Sequence, residues 1–493
     1  MKKPIVFIII SLIFLNCILP AYALEPYYNY TYSKDKKPEL EPSAYVPYKI
    51  ITGESAGTTN FNDPKDIVIS KNGTIYICDS GNNRIVVTDT GNKLLNIISE
   101  FEYGSNPQTF NKPEGIFVTD DNELYVADTG NGRIVAFDSQ LTVTGIFSRP
   151  KTELISDDFN YEPVKIVVDN AKRLYIVSKN INQGIIELNK DGTFSRFFGA
   201  IKVNPDIANL FWKSIATGAQ KERMNLTLPT EYSSICADDK GFIYGTVSAT
   251  GDVKNAGGAV DGANFIKRLN SIGNDILLRD EEKPPMGDLE YITVQDTPKT
   301  SKFIDICSQK NGIYSALDSS MGRVFTYDSD GNLLYVFGGY GERFGEFGSP
   351  SAIDTDDTDY YIADNKYNQI IVFKPTKYGE IIVEAANYQF MREYEKAEAA
   401  WEEALKYTTK SDKAFVGLGK ALYKLENYKS AMKYFKLGND KENYSKAFKD
   451  YRRTLIEQNF KYVLLFFFVL IITAIIFPTI KRAGSRSGRR KKL

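Results

Sequence analysis

Two carboxylate–guanidinium pairs are the first candidates for chemistry in this sequence. Asp79 precedes Arg84, and Asp128 precedes Arg133, each pair bracketing a Gly/Asn turn between two apolar runs. Such a pair could orient a substrate, but an Asp can equally cap a turn while the Arg crosses to a neighbouring structural unit. Because the pattern recurs, and Asp364 begins a third copy, we interpret these residues as structural and not as catalytic.

The composition restricts enzymatic chemistry further. The chain has 493 residues, a formal net charge of −1 and no histidine. Without histidine, the usual general base, the Ser-His-Asp and Cys-His arrangements and imidazole ligation of zinc are excluded. A near-neutral charge also disfavours nucleic acid as the main partner. We therefore predict no catalytic residues, no metal site and no cofactor.

The four cysteines form no recognisable motif. Cys17 lies in the N-terminal apolar run, and the other three lie in strand-like apolar runs without a C-x-x-C spacing. Cys236 and Cys307 each stand five residues before a turn glycine, so they occupy matching positions. We interpret Cys78, Cys236 and Cys307 as buried thiols, with a disulfide or a metal site as the alternative.

These residues belong to a repeated unit that is clearest between residues 111 and 138. Short runs of β-branched and aromatic residues alternate there with Asp/Asn/Gly turns, which is typical of an antiparallel meander. A single such sheet cannot bury both faces, so it needs copies beside it. A tyrosine in the second run recurs at intervals of about 47–70 residues, as Tyr76, Tyr125, Tyr175, Tyr244, Tyr314 and Tyr361.

The pattern P-x-G-I…Y-V-A-D-T-G-N-x-R-I resembles the NHL repeat family. The resemblance implies a mainly β fold, a six-bladed propeller over residues 44–377, and a binding role more than any chemistry. Blades 1, 2 and 6 match the pattern well. In blades 3, 4 and 5, Ser178, Val247 and Leu317 stand where the better copies have Asp.

The ends of the propeller and its insertions follow from this reading. Residues 44–52 are predicted to supply the outer strand of blade 6, which closes the ring and removes its exposed edges. Three insertions interrupt the repeats, at 199–229, 247–264 and 279–302. Inter-blade loops and second-to-third-strand loops share one face of a propeller, so all three are expected on the same face, over blades 4 and 5.

This face supplies the candidate binding residues Phe211, Trp212 and Tyr291. Large aromatic side chains dominate binding hot spots because they bury much area at a small entropic cost. The alternatives are that Trp212 packs its own loop against the propeller, and that the insertions have no function.

Helical periodicity replaces the strand pattern at about residue 378. Residues 378–458 resemble two tetratricopeptide repeats followed by a polar capping helix at 441–458. The resemblance rests on small-large-small positions that recur 34 residues apart, namely Ala397, Trp401 and Ala404, then Ala431, Phe435 and Gly438. Such a pair could bind a peptide or fix the orientation of the propeller.

The two ends of the chain predict export and anchoring. Residues 1–23 have the basic, apolar and A-x-A regions of a signal peptide, and residues 24–43 are expected to form a flexible spacer. Residues 460–480 are predicted to form a transmembrane helix. The basic residues of 481–493 then place the tail in the cytoplasm, because positive flanks stay inside.

The sequence therefore favours a single-pass cell-membrane protein whose propeller and helical repeats lie outside the cytoplasm. We interpret it as a binding or scaffold protein for an unknown protein or glycan partner, and an accessory role beside a surface transport system is compatible with this architecture. One alternative is a metal-dependent, lactonase-like hydrolase, which needs carboxylates converging on the propeller axis. The other is a sensor ectodomain, which the short tail disfavours.

Overall fold

The computed structural model describes residues 27–489, except 34, 157, 201–229, 250–264, 280–283, 289–291, 295–296, 300 and 409. Within this range the chain forms two compact units. The first contains residues 36–383 with the segment 27–32, and the second contains residues 384–489 with the short segment 33–35.

The first unit is a β-propeller of six antiparallel sheets. The first strands of successive blades contact one another in a closed ring, so they form the inner wall. The strands are Pro64–Ile69, Ile75–Asp79, Arg84–Thr88 and Leu94–Ile98 in blade 1; Gly115–Val118, Leu124–Asp128, Arg133–Phe137 and Val143–Ser148 in blade 2; Pro163–Val168, Leu174–Ser178, Ile185–Leu188 and Phe194–Phe198 in blade 3; Thr230–Ala237, Ile243–Ala249 and Ile266–Leu269 in blade 4; Phe303–Ser308, Tyr314–Asp318, Arg323–Tyr327 and Leu333–Phe337 in blade 5; and Pro350–Thr355, Tyr360–Asp364, Gln369–Pro375 and Tyr45–Ile51 in blade 6.

Blade 6 confirms the predicted ring closure. Its outer strand, Tyr45–Ile51, comes from the beginning of the propeller and pairs antiparallel with Gln369–Pro375. The Tyr45 ring packs against aromatic rings of blades 5 and 6, with centroid distances of 5.2 Å to Phe337 and 4.8 Å to Tyr360. Backbone pairing and aromatic packing together hold the closing strand in place.

Blade 4 differs from the expected four strands, because a regular outer strand is absent from its described residues. The segment after Leu269 makes one isolated bridge through Asp275, and the Ile276 N–H donates to Arg268 O at 2.7 Å. Further along, the Arg279 guanidinium, and not a backbone N–H, donates to Ile266 O at 2.7 Å. A side chain therefore replaces the backbone at the end of this sheet edge.

Short hairpins lie in the connections between blades. They pair Glu100–Tyr103 with Asn106–Thr109, and Ile292–Val294 with Thr297–Lys299, while Gly339–Tyr340 pairs in parallel with Glu346–Phe347.

The segment predicted as a flexible spacer contains ordered structure. Tyr30–Tyr32 pairs with Pro38–Leu40 in a two-stranded hairpin, and the three residues of the first strand are all buried. Tyr30 and Tyr32 join the hydrophobic core cluster formed by residues of blades 4 and 5. The tyrosines that suggested a polar, extended spacer supply enough apolar area to dock this segment.

The second unit is helical. Its helices are α1 Lys377–Phe390, which begins at the end of the first unit, α2 Tyr394–Ala404, α3 Asp412–Lys424, α4 Tyr428–Leu437 and α5 Lys441–Arg489. The predicted packing positions Trp401 of α2 and Phe435 of α4 are buried. A Cβ at Gly417 of α3 would lie 2.4 Å from the Trp401 ring, and one at Gly419 would lie 2.7 Å from that of Phe435. Glycine in α3 thus lets the two large rings approach.

Helix α5 covers the predicted capping helix, the predicted membrane span and the start of the basic tail. No single helix among the described residues meets the length and hydropathy of a membrane span. Two segments that meet them together, Lys441–Tyr462 and Leu464–Pro478, are bent by 48° at their junction.

Candidate functional site

One position of the inner strand carries charged residues in alternate blades. It lies opposite the residue that precedes the repeat Asp position of the second strand, so that Asp66 pairs with Cys78 and Lys165 pairs with Val177. We call the six residues at this position the axial ring. They are Asp66, Gly115, Lys165, Ser234, Asp305 and Ala352, in the order of the blades.

Lys165 of blade 3 lies between two carboxylates of the axial ring. Its Nζ is 2.7 Å from Asp66 Oδ1 of blade 1 and 3.0 Å from Asp305 Oδ1 of blade 5. Both carboxylates are fully buried, and the lysine side chain is 14% exposed. Because blades 1, 3 and 5 are not neighbours, these contacts reach across the central channel. One ammonium therefore joins three blades.

The remaining carboxylate oxygens bind groups on neighbouring blades. Asp66 Oδ2 accepts the Ile116 N–H of blade 2 at 2.8 Å, and Asp305 Oδ2 accepts the Ile353 N–H of blade 6 at 2.8 Å. Ser234 Oγ of blade 4 donates to Asp305 Oδ1 at 2.5 Å. An inner strand has no partner on its channel side, so its buried N–H groups need such acceptors.

Small residues complete the axial ring where space is limited. A Cβ at Gly115 would lie 2.3 Å from the Val164 carbonyl oxygen of blade 3. Glycine is therefore required at this position because the backbones approach closely.

A second carboxylate, Asp354, lies two residues beyond the axial ring on the inner strand of blade 6. Its Oδ2 accepts the Ile69 N–H of blade 1 at 2.7 Å. Burial raises the pKa of Asp354 to about 7, against the effect of its backbone donors and of the more distant Lys165. This carboxyl thus changes charge near neutral pH.

Cys236 and Cys307 occupy the position equivalent to Asp354 in blades 4 and 5, which confirms their predicted correspondence. Burial raises the pKa of both thiols well above its usual range, so they are protonated at neutral pH. Cys78 and Cys307 are buried, as predicted, whereas Cys236 is partly buried; Cys78 Sγ donates to Pro113 O at 3.1 Å. Protonated thiols in such surroundings behave as small apolar side chains.

The raised pKa of Asp354 predicts a pH dependence of stability. Between about pH 4 and pH 7 the folded state keeps Asp354 protonated, whereas the unfolded chain, in which the pKa of this carboxyl is about 3.9, has released the proton. The unfolding free energy therefore falls as pH rises through this range. Asp354→Asn is expected to reduce the fall in unfolding free energy between pH 5 and pH 7.5 by at least about 1 kcal/mol. Urea denaturation at several pH values measures this. Asp120→Asn, in an exposed turn, is the control, and an unchanged slope in Asp354→Asn would contradict the assignment.

The axial network suits structural cross-linking better than catalysis. Burial opposes the charge of Lys165, but Asp305 and Asp66 outweigh it and raise the lysine pKa, so the amine stays charged and is a poor base or nucleophile. Its ammonium fills the position between the two carboxylates that a bound cation would occupy. Among the described residues, no group of three or more Asp, Glu, Cys or His side chains is placed to hold a metal ion.

The predicted Asp/Arg pairs are formed, with one correction to their contacts. Arg84 Nε donates to Asp79 Oδ2 at 2.6 Å, and Arg133 Nε donates to Asp128 Oδ2 at 2.7 Å. Asp79 Oδ1 accepts the N–H of Asn62, in the connection that leads into the same blade. Asp79 Oδ2 and Asp128 Oδ2 also accept the side-chain amides of Asn82 and Asn131, so each Asp does bind its own turn, as predicted. The prediction that the Arg reaches a neighbouring blade is wrong, because both arginines bind the incoming connection.

Asp364 repeats this arrangement without an arginine. Its carboxylate accepts the N–H groups of Gly348 at 2.7 Å and Ser349 at 3.1 Å, in the connection that leads into blade 6. Gln369 stands opposite Asp364 where blades 1 and 2 have Arg.

The predicted loss of the repeat Asp from blade 5 is also wrong. Asp318, and not Leu317, stands opposite Arg323, as Asp79 stands opposite Arg84. Its Oδ1 accepts the Lys302 N–H at 2.7 Å from the incoming connection. The tyrosine is misleading in this blade because Tyr314 follows the turn glycine by one residue fewer than Tyr76 does. Ser178 and Val247 do occupy the Asp position, as predicted.

The candidate binding residues Phe211, Trp212 and Tyr291 lie outside the residues that the structure describes. Most of the three predicted insertions lies outside them too. Their role remains a prediction.

Sequence reasoning missed the axial ring, although a signal for it was present. Every residue of the ring is followed by isoleucine, in the P-x-G-I pattern or its variants. Alignment on this isoleucine shows that Asp66, Lys165 and Asp305 replace the repeat glycine in alternate blades. Three compensating charges at one repeat position are a sign of mutual contact.

Comparison with known proteins supports the repeat and the fold. The NHL repeat model matches residues 61–87 and 110–137, in blades 1 and 2, so the chain contains NHL repeats. A search of curated proteins gives no match.

Similar solved structures are propellers of diverse function. A catalytically inactive virginiamycin B lyase from Staphylococcus aureus is 11% identical, with a TM-score of 0.41, covering 67% of this chain and 100% of the lyase. A gluconolactonase from Xanthomonas campestris is 11% identical, with a TM-score of 0.38, covering 67% and 95%. An extracellular domain of a one-component system from B. thetaiotaomicron is 14% identical, with a TM-score of 0.36, covering 66% and 39%. These likenesses concern the fold alone.

Proposed function

We propose that this chain is a membrane-anchored, extracytoplasmic binding or scaffold protein. Its propeller face over blades 4 and 5 recognises a protein or glycan partner through the loops that contain Phe211, Trp212 and Tyr291. The protein uses no cofactor and carries out no hydrolysis. An accessory role beside a surface transport system fits this arrangement.

The observation that carries the proposal is the axial network. A hydrolase on this fold would need carboxylates at the axis that are free to bind a metal or a substrate. Asp66 and Asp305 instead bind Lys165 and the backbones of neighbouring blades. The charged groups at the axis hold the ring together, which supports a function located on the outer loops.

The sequence at both ends supports the proposed location. The signal-peptide pattern of residues 1–23, the apolar run of 460–480 and the basic tail of 481–493 together favour an exported propeller with a cytoplasmic tail. The helices that resemble tetratricopeptide repeats would hold the propeller above the membrane or add a second, smaller binding surface.

Trp212→Ala tests the binding face. If Trp212 contacts the partner, the free energy of unfolding should change by no more than about 0.5 kcal/mol, the usual range for a surface residue. Capture of the partner should weaken by more than about 1 kcal/mol, or about fivefold. Capture is measured by chemical crosslinking on intact cells, as the yield of one crosslinked product between this chain and its partner. Thermal denaturation of the purified chain measures stability.

Two controls separate a binding loss from a folding loss. Lys310→Ala, in the exposed turn between the first and second strands of blade 5, should leave the adduct unchanged. A loss of about 3–5 kcal/mol in Trp212→Ala, as for a buried Trp, would show instead that Trp212 packs its own loop. Hydrolysis of a lactone substrate by the purified chain, abolished by Asp66→Asn, would replace the proposal with the lactonase-like alternative.

A further inference from the structure

The N-terminal segment Tyr30–Tyr32 covers part of blade 5. Its side chains are buried, with 6% of Tyr30, 2% of Thr31 and 8% of Tyr32 exposed. The two tyrosine rings pack into the core cluster that contains Phe325 and Tyr327 of the third strand of this blade. More than 250 residues of chain separate the segment from this surface, as the contacts of Tyr32 with Asp288 show.

Both tyrosine hydroxyls converge on a single carboxylate. Tyr30 Oη and Tyr32 Oη donate to Asp288 Oδ1, the latter at 2.9 Å. Alternate residues of an extended strand point to the same side, so the i, i+2 spacing of the tyrosines matches one acceptor. Burial raises the pKa of Tyr30, and its hydroxyl therefore remains a donor.

Asp288 is held in place by groups of the propeller itself. It is 4% exposed, its backbone N–H donates to Ser301 Oγ at 2.9 Å, and the neighbouring Gly287 N–H donates to Tyr327 Oη at 3.0 Å. Arg323 donates to Asp288 Oδ2 at 2.8 Å, and its guanidinium carbon lies 5.3 Å from the centroid of the Tyr30 ring. The site thus offers an acceptor, a cation and an apolar surface to one extended peptide.

Arg323 has a second carboxylate within its repeat unit. In blades 1 and 2 the equivalent arginines bind the Asp that stands directly opposite on the second strand. Arg323 stands opposite Asp318 but forms its ion pair with Asp288 instead. Asp318 is fully buried, and its Oδ2 makes no hydrogen bond to the described residues, although Ser301 is close enough to favour its charged form. A return of Arg323 to Asp318 would restore the arrangement of blades 1 and 2.

We propose that blade 5 carries an exchangeable binding site for an extended Tyr-x-Tyr peptide, occupied in cis by Tyr30–Tyr32, and that Arg323 moves to Asp318 when the site is empty. The move gives Asp318 the ion pair that it lacks and so lowers the free-energy cost of vacating the site. A second arrangement of the arginine thus narrows the free-energy difference between the occupied and empty states. The proposal goes beyond the binding face over blades 4 and 5 and does not depend on its partner.

The test measures binding of a fluorescent peptide with the sequence of residues 27–33 to the full-length chain. In Tyr30→Ala/Tyr32→Ala the site is empty, and we expect saturable binding by anisotropy. The unaltered chain should bind at least tenfold more weakly, because its own segment competes. A peptide with phenylalanine in place of the tyrosines at 30 and 32 should lose at least tenfold, because it cannot donate to Asp288.

Two further substitutions in the same double-alanine chain test the arginine. Asp288→Asn should weaken peptide binding at least tenfold. Asp318→Asn should tighten it about threefold or more, because Arg323 no longer has a competing partner. If Asp318 has only a structural role, Asp318→Asn should leave the peptide affinity unchanged. This result would overturn the proposed movement of Arg323.

A second measurement uses the unaltered chain and covers the case in which the double-alanine chain does not fold. Lys36 and Lys37 are exposed, so brief trypsin treatment can separate the segment from the propeller. If the segment is exchangeable, it should then separate from the propeller during gel filtration. Added free peptide should reduce the fraction of the segment that stays bound to the propeller. Retention of the fragment under both conditions, or no peptide binding to a folded double-alanine chain, would show that the segment is a permanent part of the core.

Discussion

Lys165→Met is expected to lower the free energy of unfolding of the propeller by about 3–5 kcal/mol at pH 7.5, because it leaves two buried carboxylates without their shared cation. Methionine keeps most of the apolar stem, so the change removes charge and hydrogen bonds more than volume. Urea denaturation of the full chain, followed by circular dichroism in the β-sheet region, measures the effect. The loss should be smaller at pH 5, where burial favours protonation of Asp66.

Two variants control this experiment. Lys172→Met removes a half-exposed ion pair with Glu123, in which Nζ and Oε2 are 2.7 Å apart, and should cost less than about 1 kcal/mol. The triple variant Asp66→Asn/Lys165→Met/Asp305→Asn removes all three charges and should recover part of the lost stability. A loss below about 1 kcal/mol for Lys165→Met alone would show that the axial ion pairs add little to the ring.

Removal of the closing strand is expected to abolish cooperative unfolding of the propeller. A chain that begins at Thr58 lacks Tyr45–Ile51, so Gln369–Pro375 becomes an open edge and the aromatic packing around Tyr45 is lost. An open edge of this kind pairs with other chains and promotes aggregation. Differential scanning calorimetry with light scattering should show a broad transition and early aggregation.

The matched control begins at Pro42. It removes the N-terminal hairpin but keeps the closing strand, and it should therefore retain one sharp propeller transition. A chain from Thr58 that melts as sharply as the control would mean that a three-stranded blade 6 is sufficient to hold the ring.

Local features of the fold could be predicted from the sequence because they depend on neighbouring residues. The Asp/Asn/Gly turns and short apolar runs predict the meanders, and the incomplete end of blade 6 predicts the closing strand. The alignment of the repeats on their tyrosines was wrong by one residue in blade 5, where Tyr314 is shifted. The turn glycine sets the position of the second strand more firmly than the tyrosine does. The replacement of the outer strand of blade 4 depends on the Arg279 side chain, which has no sequence signature.

The candidate sites were harder to predict because they depend on closure of the ring. Asp66, Lys165 and Asp305 are far apart in the sequence, and only the six-fold arrangement brings their side chains to one point. Docking of Tyr30 and Tyr32 is likewise invisible to composition, which marks their segment as a spacer. The aromatic residues of the insertions remain a prediction based on loop order and residue type.

The register of the closing strand also determines how the ring would respond to tension. Tyr45 pairs with Pro375 and Ile51 pairs with Ile370, so the N-terminal and C-terminal exits of the propeller lie at the same end of one antiparallel ladder. A pull on the two exits in opposite directions would load the Tyr45–Pro375 pair first and open the ladder pair by pair. Such unzipping requires much less force than shearing all the pairs together, so blade 6 is the mechanically weak joint of the ring.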